Sequence, residues 1–283
     1  MLTSNETIDL FLFTADPVLA RQARNATITT LVIDWECRDK HLRQNHSNTE
    51  INQDTPEALA GLAASVPDAR RVCRINAFHP QTRQEIEIAI AKGATHLLLP
   101  MVRRLEEAQQ FLEWIARRVP AGILIETMEA CALAEPLSRL PLDLVYIGLN
   151  DLAISRRTPN LFTPLADGLV DRLRQTFATI PFGVGGLTRV DGGHPLPCAL
   201  LMTEYARLNC TFSFLRRSFK RDVGSQEMRP AVEEIQRWWR QLRNRSPAET
   251  AKDRQRFLAT MEAIDPRSFD FFPADRKGCA LSP

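Results

Sequence analysis

Eight short apolar runs, each followed by a segment of helical character, recur along this 283-residue chain. They fall at 8–14, 30–36, 71–76, 96–101, 122–127, 144–149, 182–187 and 209–215. A strand buried on both faces reads as a continuous apolar run and sits in a parallel sheet, because the helix that follows it carries the chain back to the same edge. Eight sequential units of this kind close naturally into an α/β fold, a single (β/α)8 TIM barrel. No low-complexity or Gly/Ser-rich stretch divides the chain, so one domain is expected rather than two. Helix starts are written in the sequence at Asp16-Pro17 and at Asp54-Thr55-Pro56-Glu57, and Gly93 closes a helix over 81–92. Further helices are expected over 105–119, 129–140, 164–178 and 196–207.

The barrel is expected to occupy residues 1–245, followed by a C-terminal helical extension and tail over 246–283. Within 216–245, Val232, Ile235, Trp238, Trp239 and Leu242 recur at helical spacing. Paired tryptophans fit packing better than a ligand cage, and the surface they pack on is expected to belong to another subunit. Residues 247–263 read as one more helix, and the phenylalanine-containing tail has no regular period.

Two of the apolar runs stop at a carboxylate. Ile123-Leu124-Ile125 ends at Glu126, and Tyr146-Ile147-Gly148-Leu149-Asn150 runs to Asp151. The acids are 25 positions apart, about one strand-helix-strand step, so neighbouring strands can aim them at one pocket. The C-terminal ends of barrel strands are where such folds carry chemistry. Two carboxylates directed at one point repel unless one holds a proton or a cation lies between them. Hard oxygen ligands of this kind suit magnesium or manganese. The alternative is that each acid is a helix N-cap following its strand. The second run ends in Asp34 and Glu36, placed on one side by the period of a strand. Arg74 stands near the end of the third, as a cation for an anionic substrate or as an ion-pair partner of Asp34 or Glu36. The seventh run, Phe182-Gly183-Val184-Gly185-Gly186-Leu187, allows close approach of a ligand or a neighbouring strand, and lacks the spacing of a dinucleotide fingerprint.

The polar stretch 37–55 begins at the same end and is long enough to be an active-site loop, with Lys40, Arg43 and Gln44 as candidate anion contacts. His41 and His46 lack a third ligand nearby, so a plain polar loop is favoured over a histidine metal site. A formal charge of +2 gives no argument for nucleic acid, and no apolar run reaches the ~20 residues of a membrane span. The N-terminus lacks a basic start followed by an apolar core, so no signal peptide is expected. The six cysteines form no CxxC pair and fit reduced thiols in a cytoplasmic protein, with Cys37 packed and Cys279 exposed.

Several segments together resemble the HpcH/HpaI aldolase and citrate lyase β-subunit superfamily. They are LVIDWE (31–36), RIN (74–76), KGATHLLLPMV (92–102), ILIET (123–127) and IGLNDLA (147–153). The resemblance implies a (β/α)8 barrel that binds a divalent metal, usually Mg2+, through Glu126 and Asp151. It implies that Arg74 contacts a keto or enolate oxygen, and that Asp34 and Glu36 bind metal waters or assist proton transfer. It also implies a homo-oligomer, trimer or hexamer, that exchanges a C-terminal helix between subunits. Cys37 departs from the pattern: aldolase members carry histidine there, and citrate lyase relatives a further acid. The implied activity is a carbon–carbon lyase of the aldolase or citryl/malyl-CoA lyase type, forming the enolate of a 2-keto acid or a thioester. Backbone N–H groups at Gly148, Leu149 and Asn150 suit the substrate carboxylate at a helix start. The competing reading is a non-catalytic barrel that binds a small carboxylic acid or serves as a subunit of a larger assembly.

Overall fold

The structure, a computed structural model, describes residues 6–37, 54–223 and 228–265. Lys40, His41, Arg43, Gln44, His46 and Cys279 lie outside the described residues. Eight parallel strands form a closed barrel in chain order. They are β1 (Asp9–Phe13), β2 (Thr30–Asp34), β3 (Arg70–Arg74), β4 (His96–Leu99), β5 (Ala121–Ile125), β6 (Leu144–Ile147), β7 (Phe182–Val184) and β8 (Phe212–Phe214). β8 pairs with β1, with Leu10 opposite Ser213, and closes the cylinder.

Alternation along each strand sorts the apolar residues into two cores. Leu31, Ile33, Leu97, Leu99, Ile123 and Ile125 point outward and join the helices. Phe11, Phe13, Val32, Val72, Leu98, Leu124, Tyr146, Phe212 and Phe214 point inward and fill the barrel axis. The inner core is aromatic: the Tyr146 and Phe214 rings stack at 3.9 Å, and Phe11 stacks on Phe212 at 4.7 Å. Rings of this size leave no room for facing side chains, and β7 supplies the space. A Cβ at Gly183 would stand 2.4 Å from the Phe212 ring, and one at Gly185 only 1.7 Å from the Tyr146 hydroxyl. The glycines of the seventh run therefore admit the rings of neighbouring strands.

The helix starts follow the sequence. Asp16 caps α1 (Pro17–Asn25) by accepting from the Val18 N–H at 2.8 Å. Thr55, rather than Asp54, caps α2 (Pro56–Ser65), accepting from Ala58 N–H at 3.2 Å. α3 (Thr82–Ala91) and α4 (Leu105–Ile115) follow β3 and β4. Two expected helices are broken. The one over 129–140 is α5 (Met128–Ala132) and α6 (Ala134–Ser138), because Pro136 has no N–H for the Ala132 carbonyl. The one over 164–178 splits at Gly168, whose φ of 80° ends one helix path and starts another. It yields α8 (Thr163–Ala166) and α9 (Leu169–Thr176), after α7 (Leu149–Arg156).

The C-terminal third wraps its own barrel. α10 (Cys198–Arg207) and α11 (Arg217–Val223) precede α12 (Met228–Arg243), which buries Ile235, Trp239 and Leu242. Gln236 of α12 bonds both backbone groups of Ile8, and the Trp238 indole N–H donates to the Ala199 carbonyl at 3.2 Å. The paired tryptophans thus pack on the barrel of the same chain. α13 (Pro247–Ala263) opens with a Ser246–Glu249 capping box and seats fully buried Phe257. Its Arg254 donates to buried Glu204 of α10 at 2.7 Å and to the Leu165 carbonyl at 2.9 Å. Among the described residues no helix is long and apolar enough to cross a membrane.

The N-terminal end of the barrel carries its own ionisable group. His96 opens β4 beside Thr95, with Arg70 and Asp143 nearby. Burial first, then Arg70, pulls its pKa down to about 4. An unfolded imidazole titrates near 6.5, so above that pH neither state takes the proton. Below it the unfolded chain protonates first, and stability is lost until the pH reaches about 4, to a total of roughly 3 kcal/mol. Urea unfolding at pH 7 and pH 5 should show this loss in the wild type and a clearly smaller one in His96→Gln.

Candidate active site

The C-terminal ends of β2, β3, β5 and β6 bring the acids and the arginine together. β2 and β3 pair in register with Asp34 opposite Arg74, so the first ion pair is dictated by strand pairing. Arg74 Nε donates to Asp34 Oδ1 at 3.0 Å and Nη2 to Oδ2 at 2.8 Å, a two-point clasp. Its Nη1 lies 3.2 Å from Glu36 Oε2. Both ion-pair partners foreseen for Arg74 are thus engaged. The guanidinium also lies over the Phe13 ring, 5.3 Å from its centre. These contacts use three of the five guanidinium N–H groups, which leaves donor capacity for a ligand oxygen.

Asp34 is fully buried and Glu36 1% exposed. Asp34 Oδ1 also accepts the Glu36 N–H at 3.2 Å, and the Asp34 N–H donates to Asp54 at 2.9 Å. Asp54 is therefore a brace for the end of β2, a role its position before a helix concealed. Asn76 and Glu85 are a second brace that sequence reading missed. Asn76 Oδ1 accepts the Cys37 N–H at 3.0 Å, while Asn76 Nδ2 donates to Glu85 at 2.7 Å. Cys37 itself is exposed where the chain leaves the barrel, and so is not the packed thiol expected.

Glu126 stands one residue beyond β5 and is 2% exposed. Its Oε1 accepts the Met101 N–H at 2.8 Å, and Met101 takes a left-handed φ of 55°. Next to it, Thr127 Oγ1 donates to the Val102 carbonyl at 2.6 Å and accepts the Ala130 N–H at 3.0 Å. Thr127 is thus the cap of α5, and Gly148 the cap of α7. The reading of Glu126 and Asp151 as helix N-caps is overturned. Neither carboxylate caps a helix, and Asp151 sits in the first turn of α7. Gly148 is required here: a Cβ would fall 2.3 Å from Glu126 Oε2.

Burial is the largest cause that holds the Glu126 carboxyl well above the usual carboxylate range. Asp151 and Glu36 add to it, and Arg74 and the Met101 N–H oppose it. Among the described residues Asp34, Glu36, Glu126 and Asp151 lie near one guanidinium, a concentration of negative charge that suits a further cation. The donor set fits magnesium. Among the described residues no three His, Cys, Asp or Glu gather as a protein cage. Magnesium characteristically takes one or two carboxylates and leaves its other positions to water and substrate. Glu126 and Asp151 are the pair that would hold it. Leu149 and Asn150 lie at the start of α7, where first-turn N–H groups have no partner within the helix, whereas the Gly148 N–H, expected to bind the substrate carboxylate, instead donates to the Ile125 carbonyl at 3.2 Å.

Two outcomes are expected of the metal-free protein. A glutamate whose folded pKa is raised favours folding at low pH, and that advantage is lost as pH climbs from about 4.5 through the folded value. Glu126→Gln removes the buried charge, so in chelator it should melt higher than wild type at pH 8, with a smaller gap at pH 5. Gly148→Ala should push the Glu126 carboxylate off the Met101 N–H and weaken magnesium binding about tenfold or more by calorimetry, on the scale of a lost charged hydrogen bond.

No protein-family model matches the chain. No curated protein matches it either. Solved structures do match. An HpcH/HpaI aldolase/citrate lyase family protein from Burkholderia cenocepacia superposes with a TM-score of 0.58 at 13% identity, covering 82% of this chain and 96% of that one. The citrate lyase beta subunit from M. tuberculosis, complexed with oxaloacetate and magnesium, gives 0.55 at 16%, covering 83% and 98%. The 3-hexulose-6-phosphate synthase from Salmonella typhimurium gives 0.57 at 11%, covering 83% and 100%. Members of the superfamily that the motifs resemble are thus among the structural neighbours. A barrel of another chemistry stands at the same distance, so this likeness establishes the fold, and function must be argued from the site.

Proposed function

We propose that this chain is a divalent-metal-dependent carbon–carbon lyase of the aldolase or citryl/malyl-CoA lyase type. Its substrate would be a 2-keto acid or a related thioester, cleaved to an enolate. The observation that carries the reading is that Glu126, Asp151 and Glu36 lie close enough to act on one another's charge beside Arg74, at the C-terminal end of the barrel. The sequence resemblance supports it, as does the magnesium and oxaloacetate named with the citrate lyase beta subunit.

A magnesium ion held by Glu126 and Asp151 would supply Lewis-acid polarisation of the substrate carbonyl. The rest falls to this chain's own groups. The first N–H groups of α7, at Leu149 and Asn150, receive the substrate carboxylate, and Gly148 lets it approach closely. Arg74 spends its remaining N–H groups on the oxygen that gains charge as the carbon–carbon bond breaks, an interaction stronger in the transition state than in the ground state. Both Asp34 oxygens are occupied by the Arg74 clasp, so Asp34 positions the guanidinium. Glu36 is then the acid that accepts the hydroxyl proton of the departing fragment, directly or through a water. A homo-oligomer, trimer or hexamer, in the cytoplasm remains part of the proposal.

One observation favours the second reading, a barrel that binds a small acid without cleaving it. Arg74 is already engaged by two carboxylates, and Cys37 stands where aldolase relatives carry histidine. Calorimetric titration of magnesium with oxalate or pyruvate, followed by assays on 2-keto acids, separates the two. The lyase reading expects metal-dependent oxalate binding in the wild type and none in Glu126→Gln. It also expects kcat to fall about 100-fold in Arg74→Lys, which keeps the charge and loses the planar clasp. Tight metal-dependent binding with no turnover on any keto acid or thioester would support the binding protein instead.

A further inference from the structure

Tyr146 is the one ring of the inner core that carries a polar atom, and nothing in the mechanism above uses it. Its backbone pairs with Gly183 on β7, but its hydroxyl fills the space beside Gly185, two residues nearer the C-terminal mouth. On the other side its backbone pairs with Leu124, two residues before Glu126. The side chain therefore leans up the barrel axis and delivers its hydroxyl toward the layer of Glu126 and Gly148. Gly185 is the only residue type that leaves it room, since a Cβ would lie 1.7 Å from the oxygen. Tyr205, from outside the barrel, fixes that same turn by donating its hydroxyl to the Gly185 carbonyl.

The Tyr146 hydroxyl has no hydrogen-bond partner among the described residues, and the side chain keeps 8% of its surface accessible. The oxygen is not among the enclosed atoms that lack a partner, so it remains accessible for a ligand to bond. The surrounding charges agree with a place at the site. Burial chiefly, then Glu126 and Asp151, hold the phenol well above its usual pKa, against the pull of Arg74. It stays a neutral donor at working pH.

We infer that Tyr146 is a substrate-contacting residue, whose neutral hydroxyl donates a hydrogen bond to an oxygen of a small carboxylate bound between Glu126, Asp151 and Arg74. This rests on the proposed enolate site and adds a donor to it from the barrel floor. It also narrows the ligand class to acids short enough for an oxygen to reach the axis, such as 2-keto acids and planar mimics of their enolates.

Tyr146→Phe tests this cleanly, because it keeps the ring stacked on Phe214 and deletes one oxygen. Magnesium alone should bind both proteins equally, while oxalate in saturating magnesium should bind the variant about tenfold or more weakly, the scale of a hydrogen bond to a charged group. Thermal stability should hold or rise. The chain has two tyrosines, so 3-fluorotyrosine labelling gives two 19F signals. Magnesium oxalate should shift the one missing from Tyr146→Phe and leave the Tyr205 signal in place. Equal oxalate affinity in both proteins, with neither signal moving, would overturn the inference and leave the lyase reading standing. Absence of oxalate binding in the wild type would overturn both.

Discussion

The site depends on carboxylates buried close to the Arg74 guanidinium. Strand pairing forces Asp34 against Arg74, and the next inward position adds Glu36. Glu126 and Asp151 join the cluster from the end of β5 and the first turn of α7. Removing such groups from water costs several kcal/mol each unless they are compensated. The surrounding structure compensates in detail: backbone N–H groups of Met101 and Glu36, the Asp54 brace behind β2, and the Asn76–Glu85 brace behind β3. A fold that spends this much on holding carboxylates in place is better explained by what they bind than by stability, because an apolar layer would fill the same barrel end more cheaply.

The lower barrel is organised around a different constraint. Aromatic rings fill its axis, and Gly183 and Gly185 of the seventh run absorb their volume. This floor sets the depth of the pocket above it. It also explains a strand whose glycine content looked like a ligand-binding feature. The same crowding lifts one hydroxyl toward the charged layer, so packing and chemistry meet at Tyr146.

The C-terminal helices extend this logic to the outside of the barrel. α12 closes the ring of helices by gripping Ile8 at the start of β1, and α13 is pinned through Arg254 to a buried acid on α10. An aromatic, basic segment that reads as ready for a partner is satisfied here by the chain's own surface. The almost fully buried Glu204 is held by two cations, Arg254 at 2.7 Å and Arg207 at 2.8 Å.

The eight strands, their parallel order and the barrel were legible because each buried strand must be apolar throughout and each helix needs its cap. Helix 247–263 was read with the bounds it has in the structure, and the structure adds its Ser246–Glu249 capping box. Glu126 and Asp151 were visible as acids that end apolar runs, and Arg74 as a cation in the same phase as Asp34. Sequence could not decide whether those acids were caps or ligands, since both readings need a carboxylate after a strand. The tertiary structure removed the cap reading by giving the caps to Thr127 and Gly148. It alone revealed the Met101 N–H, the two braces and the raised hydroxyl of Tyr146. Each of these joins residues from different strands or helices, and a hydrogen bond across such a distance leaves no periodicity in the chain.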